Sequence, residues 1–351
     1  MRWNNLLLDT AQSPPVLELG AGPLAGAVER TFDAPGFAGM TFYEVQAKSI
    51  ISRVPAASRM PFEYTINPYR GCSHACVYCF ARKTHEYLDL DAGHDFDRRV
   101  VVKVNAPQLL RKELRSPRWT GAHIAMGTNV DCYQRAEGRY RLMRGIIAAL
   151  RDHANPFSIL TKGTLITRDL DLLREAAQVT SVGVSLSVGF VDETLWRSVE
   201  PGTPSPRRRL DAVRRFADAG FGVHVLMAPI LPGITDTDES IDQTVAAIAA
   251  AGAAGVTPLA LHLRPGAREW YAAWLGRTRP ELVERYRALY GTGSYAPKAF
   301  QRELAARVAI AARRHGIGRA PMADHRGIDS DERRRLAPVV PVTRAQQLAL
   351  L

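Results

Sequence analysis

Three thiols within eight positions are the densest chemistry in the chain. Cys72, Cys76 and Cys79 stand in Arg70-Gly71-Cys72-Ser73-His74-Ala75-Cys76-Val77-Tyr78-Cys79, a C-x3-C-x2-C spacing. Three thiolates on one short loop can each hold one iron of a cubane cluster, which leaves the fourth iron without a protein ligand. An open corner of that kind can be chelated by the amino and carboxylate groups of a methionine-like cofactor. The competing reading is a structural zinc held by these cysteines with Cys132 or a nearby His, but zinc sites usually pair C-x2-C units or add His at fixed spacing. His74, inside the loop, reads as a packing or hydrogen-bonding residue.

Such a loop needs a rigid frame. From Phe62 onward short β-type runs alternate with stretches of helical spacing, which argues for βαβ units and a parallel sheet. The expected strands are Phe62 to Asn67, His123 to Gly127, Phe157 to Thr161, Ser181 to Ser187, Gly222 to Ala228 and Val256 to His262. In Ser181-Val182-Gly183-Val184-Ser185-Leu186-Ser187, Val182, Val184 and Leu186 take one face, and Gly183, Ser185 and Ser187 the other. A doubly wound sheet wants both faces apolar, so a face of Gly and Ser points to a polar lumen. The fold expected is therefore α/β, a partial (β/α)6 TIM-type barrel with the cysteine loop at the carboxyl end of its first strand. After the fourth strand, Leu210, Val213, Phe216 and Ala217 recur at helical spacing and Gly220 supplies a stop. The uncharged run from Val245 to Leu261 reads as a buried helix followed by a strand, not a membrane span. The expected organisation is a loop-rich N-terminal leader over 1–56, a core domain over 57–297, and a C-terminal helix with a frayed tail over 298–351.

The bulk properties agree with a folded enzyme. The 351 residues are 46% hydrophobic and 23% charged, enough to bury a sizeable core. With 46 Lys plus Arg against 35 Asp plus Glu the net charge is +11, which suits a polyanionic partner, although the basic runs are short and scattered. Four cysteines, three of them clustered, are not a disulfide framework. A reducing cytoplasm is expected, with no export signal and no membrane partner.

The cysteine run, with aromatic Tyr78 before the third cysteine, resembles the signature of the radical S-adenosylmethionine (SAM) superfamily. Further segments are similar to its spore photoproduct lyase and DNA-repair-photolyase-like branch. They are Tyr64-Thr65-Ile66-Asn67-Pro68-Tyr69-Arg70-Gly71, Leu160-Thr161-Lys162 and Glu200-Pro201-Gly202-Thr203, a likeness running from about Lys48 to Pro232. The resemblance implies a [4Fe-4S] cluster on the three cysteines and SAM as second cofactor. It implies reductive cleavage of SAM to a 5'-deoxyadenosyl radical, with flavodoxin or ferredoxin as electron donor. It places Tyr78, Gly127, Thr128, Asn129, Lys162 and Ser185 around SAM, with Lys162 near its carboxylate and Ser185 near its ribose. Glu200 and Arg209 form either an ordinary ion pair or a SAM contact.

One departure stands out. Spore photoproduct lyases carry a hydrogen-donating cysteine just after the second strand, where this chain has Gly127. Cys132 and Tyr133 are the nearby candidates for a donor. The expected substrate is nucleic acid in a DNA-repair-like reaction, with Trp270, Tyr271 and Trp274 beside Arg264 and Arg268 as candidate base-stacking groups, although helical spacing favours core packing for at least two of these rings. Radical modification of a peptide or small metabolite, and a non-catalytic zinc or iron-sulfur protein, are the alternatives.

Overall fold

The six strands read from the sequence form the centre of one open sheet. The structure, a computed structural model, describes residues 3–4, 24–55 and 60–319. Its strands, in chain order, are β1 (Trp3–Asn4), β2 (Val28–Arg30), β3 (Thr41–Ala47), β4 (Ile51–Arg53), β5 (Tyr64–Ile66), β6 (Tyr69–Arg70), β7 (Arg99–Lys103), β8 (Ile124–Met126), β9 (Phe157–Thr161), β10 (Val182–Ser187), β11 (His224–Ile230), β12 (Gly255–Ala260) and β13 (Gly318–Arg319). β5, β8, β9, β10, β11 and β12 lie side by side in that order and run parallel. β13 adds a parallel strand at one edge and β4 an antiparallel one at the other. The sheet does not close, so the expected α/β partial barrel is present as an open array. β11 starts two residues later than expected and runs on to Ile230, where its register against β12 shifts between Met227 and Ile230. Pro229 in that stretch has no N–H to give to the ladder.

The connecting helices bury the stripes their spacing predicts. Leu142–Asp152 turns Leu142, Met143, Ile146, Ile147, Ala149 and Leu150 inward, each large apolar side chain contributing about 1.5–3 kcal/mol. Pro206–Asp218 starts at Ser205, whose hydroxyl accepts from Arg208 N, and carries Pro206 at its first turn. Its inner face differs from expectation. Arg209, Ala212, Val213 and Phe216 are buried while Leu210 and Ala217 are half-buried, because Arg209 finds a buried acid described below. The Val245 to Leu261 run divides as expected into the end of the helix Asp238–Ala250 and β12. The helix Lys298–Arg314 packs on that helix and on β12 through Leu304, Val308, Ala311 and Ala312. The tail expected to fray, 320–351, lies outside the described residues. No helix among the described residues is long and apolar enough to cross a membrane.

The expected loop-rich leader is where the structure differs most. Its described part forms β1, β2, β3 and β4, and β3 pairs in parallel with β7 from Thr41↔Arg99 to Val45↔Lys103. β7 in turn pairs with β6, the strand that leads into the cysteines. Val100, Val101 and Val102 are fully buried, as a strand covered on both faces should be. Phe32, Phe37, Phe42 and Tyr140 pack with ring centroids between 5.2 and 6.0 Å and tie this smaller sheet to the core. The second sheet thus braces the cysteine loop from behind.

Candidate functional site

The loop that carries the cysteines is gripped from several sides. Gly71 takes φ +78, and a Cβ there would lie 2.8 Å from Arg99 O, so glycine is required at the turn out of β6. Cys72 N donates to Phe96 O at 2.8 Å, and Val77 N to Val199 O at 3.0 Å. Arg82, fully buried, donates to Cys76 O at 3.0 Å and to both carboxylate oxygens of Asp97. Its guanidinium also lies 4.7 Å over the Trp270 ring. Burial pushes Asp97 up to about 6, and Arg82 opposes that. Gln134 reaches in from the loop after β8, accepting from Ser73 N at 2.8 Å and donating to Gly71 O at 2.9 Å. Gln134→Ala would strand both buried backbone groups and is expected to cost about 1–3 kcal/mol, seen as a lower thermal midpoint. An unchanged midpoint would show that the loop holds itself.

All three cysteines are free, and all three line one cavity of about 180 Å³, room for a small organic molecule rather than a single water. Burial is the largest influence raising each thiol's pKa, so binding a metal there requires displacing their protons. Among the described residues, no three His, Cys, Asp or Glu side chains form a group fit to hold a single metal ion. The donor set offered is three soft sulfurs on one wall, which fits an iron-sulfur cluster bound through one sulfur per iron.

The rest of the cavity is built from the carboxyl ends of the parallel strands: Gly127 to Asp131 after β8, Leu160 to Lys162 at β9, Ser187 at β10 and His262 after β12. Asp131 joins these walls. It accepts from Thr161 Oγ1 at 2.5 Å, Lys162 N at 2.7 Å and Tyr133 N at 2.8 Å, and lies 3.4 Å from His74 Nδ1 in the cysteine loop. Burial raises its carboxyl, but His74 and these donors outweigh that and hold it at about 2. Lys162 donates to Ser187 Oγ at 2.8 Å, lies 5.8 Å over the Tyr78 ring and stands 4.0 Å from Glu200. Glu200 and Arg209, both fully buried, meet at 2.6 Å, and the Tyr78 hydroxyl donates to the other oxygen of Glu200. The cation at the cavity wall is therefore aimed by a buried acid that a second cation compensates.

Tyr78, Gly127, Thr128, Asn129 and Lys162 all line this cavity. Ser185 is buried and not on the wall; Ser187, two residues on, is. Gly127 takes φ +72, and a Cβ there would lie 1.8 Å from Leu160 O. Cys132 and Tyr133 are each 1% exposed and turned into the core, with Tyr133 Oη donating to Asp169 at 3.0 Å. Tyr271 and Trp274 are packed in the core and present no face for stacking, while Trp270 covers Arg82. Sequence reading missed Arg82, Asp131, Gln134 and His262 as site residues. Asp131 and Gln134 flank Cys132 and Tyr133, so an acid and an amide beside the second strand's end were the available signal.

The profile of the Radical SAM superfamily matches residues 66–248, from β5 into the helix Asp238–Ala250. Uncharacterized protein Rv2578c of Mycobacterium tuberculosis is 48% identical over 346 residues, 97% of this chain and 98% of that one. Uncharacterized protein MJ0683 of Methanocaldococcus jannaschii is 30% identical over 204 residues, 57% of this chain and 72% of that one. A spore photoproduct lyase complexed with dinucleoside spore photoproduct superposes with a TM-score of 0.59 at 18% identity, over 79% of this chain and 81% of that one. A variant of that lyase with bound AdoMet gives 0.56 at 18% identity, over 76% and 78%. At such identity the likeness speaks for the fold. Taken with the profile over half the chain and three cysteines on the wall of a strand-end cavity, it places this protein in the radical SAM superfamily.

Proposed function

We propose that this protein is a radical SAM enzyme that holds a [4Fe-4S] cluster on Cys72, Cys76 and Cys79 and SAM in the adjoining cavity, and acts on nucleic acid. The observation that carries this is the sharing of one cavity by the three cysteines and Lys162. When bound, the cluster supplies the electron that splits SAM into methionine and a 5'-deoxyadenosyl radical. Lys162 offers its ammonium to the cofactor's carboxylate, steadied by Ser187 and Glu200. Thr128 and Asn129 offer donors and acceptors at the end of β8. Val130, Leu226, Leu259 and Leu261 keep water from the reacting region.

The net charge of +11 and the likeness to a lyase complexed with a dinucleoside photoproduct support a nucleic-acid substrate. The reductant is a flavodoxin or ferredoxin, and the free thiols suit a reducing cytoplasm. Anaerobic reconstitution tests the reading. Wild type is expected to bind iron and sulfide and release 5'-deoxyadenosine from SAM on reduction, and Cys72→Ala to do neither. Uptake of zinc alone, with no SAM cleavage, would overturn it.

A further inference from the structure

At the end of β12 an aromatic and cationic frame stands beside the cavity. His262, on the cavity wall, lies edge-on between Phe80 and Tyr295, with ring centroids 5.5 Å apart in both pairs. An antiparallel bridge pairs His262 with Tyr295, and Leu263 N donates to Ser294 O at 2.7 Å. Arg268 ties down the same turn through the carbonyls of Gly291 and Gly293. Arg264 braces the frame, its guanidinium 5.3 Å over the Phe80 ring and donating to Tyr295 Oη at 3.0 Å.

The outer part of this frame is left to solvent. Tyr295 is 54% exposed. Arg264 is exposed, and its partners are a phenol and a ring rather than a carboxylate. Lys83, also exposed, sits against Gly266, where a Cβ would lie 3.0 Å from Lys83 Cβ. The neighbouring acid, Glu269, is spent on Gly266 N at 2.6 Å. An open ring, an imidazole facing the cavity and cations without acidic partners among the described residues are what a nucleotide requires. The base stacks on the ring, its edge meets the imidazole, and its phosphates meet the cations. Burial, helped by Arg264, holds His262 down to about 4, so near neutral pH it offers one donor and one acceptor.

We propose that this frame is the docking surface for single-stranded nucleic acid, with a base against Tyr295 and His262 and flanking phosphates on Arg264 and Lys83. The proposal deepens the nucleic-acid reading above by naming the surface, and it rests on that reading. Its test is anisotropy of a fluorescent oligothymidylate on the reconstituted full chain across a salt series. Tyr295→Ala is expected to bind about tenfold more weakly, and Tyr295→Phe within about twofold of wild type. Arg264→Gln should lower the slope of log affinity against log salt by about one. Should Tyr295→Ala fail to fold, the Arg264→Gln slope decides. Wild-type affinity in Tyr295→Ala, an unchanged slope in Arg264→Gln, or displacement of the oligonucleotide by polyglutamate would overturn the proposal. Absence of SAM cleavage by wild type would instead sink the enzymatic reading, and the binding result would still be legible.

Discussion

Replacing Glu200 with alanine is expected to destabilise the protein by about 3–5 kcal/mol, measured by urea unfolding. Glu200 and Arg209 are both fully buried and 2.6 Å apart, so removing the acid leaves a guanidinium without a countercharge where water cannot reach it. The remaining contact from Arg209 Nη1 to Ser187 O, 2.9 Å, does not replace it, and Arg209 Nε has no hydrogen-bond partner among the described residues. Replacing both residues with apolar ones of similar size should cost much less than either single change, which a double-mutant cycle would show. A loss under about 1 kcal/mol for Glu200→Ala would mean the pair is not desolvated. The pH dependence follows the same logic. Burial alone would raise the Glu200 carboxyl, but Arg209, Lys162 and the Tyr78 hydroxyl hold it below its ordinary value. A carboxyl lowered in the folded state stabilises above its unfolded value near 4.3, and loses that contribution as pH falls through the folded one. Wild type should therefore lose stability below about pH 4 more steeply than Glu200→Gln.

Gly202→Ala is expected to strip most of the iron from reconstituted protein and to cost upward of about 3 kcal/mol. A Cβ at this position would lie 2.0 Å from Ser73 O and 2.9 Å from the His74 backbone, inside the cysteine loop itself. Both obstacles are main chain, so the loop or the Glu200 to Thr203 segment must move, and the Gly202 N to His74 O bond at 3.1 Å goes with it. Gly276→Ala is the control, since its Cβ would meet nothing within 4 Å and it sits in the helix Ala267–Thr278, where alanine is favoured. Iron content matching wild type in Gly202→Ala would show that the contact does not position the cysteines.

Much of this architecture was legible in the residues. The six central strands announce themselves by local apolar runs between turn residues, and the cysteine spacing needs no tertiary knowledge. The smaller sheet does not announce itself. β3 and β7 are separated in sequence by the whole cysteine loop, and the apolar run at Val100 to Val102 is compatible with many partners until that pairing forms. The polar framework was hidden for a related reason. Asp131, Gln134 and Arg82 matter through bonds to segments that local pattern does not connect to them. Alternation correctly marked the polar face of β10, yet it could not tell Ser185, buried in the sheet, from Ser187 on the wall. Tyr271 and Trp274 pack the core, as the helical spacing of that aromatic cluster led one to expect of two of its rings, while Tyr295, on the open face, gave no cue.

The contact at Gly127 bears on ancestry. A glycine codon can lie a single base change from a cysteine codon, so placing a thiol after the second strand would be a short evolutionary path. Here the Leu160 carbonyl occupies the space that side chain would need. A lineage that gains any side chain here must first re-route the main chain where β8 and β9 end, so the residue at this position and the backbone course are inherited together.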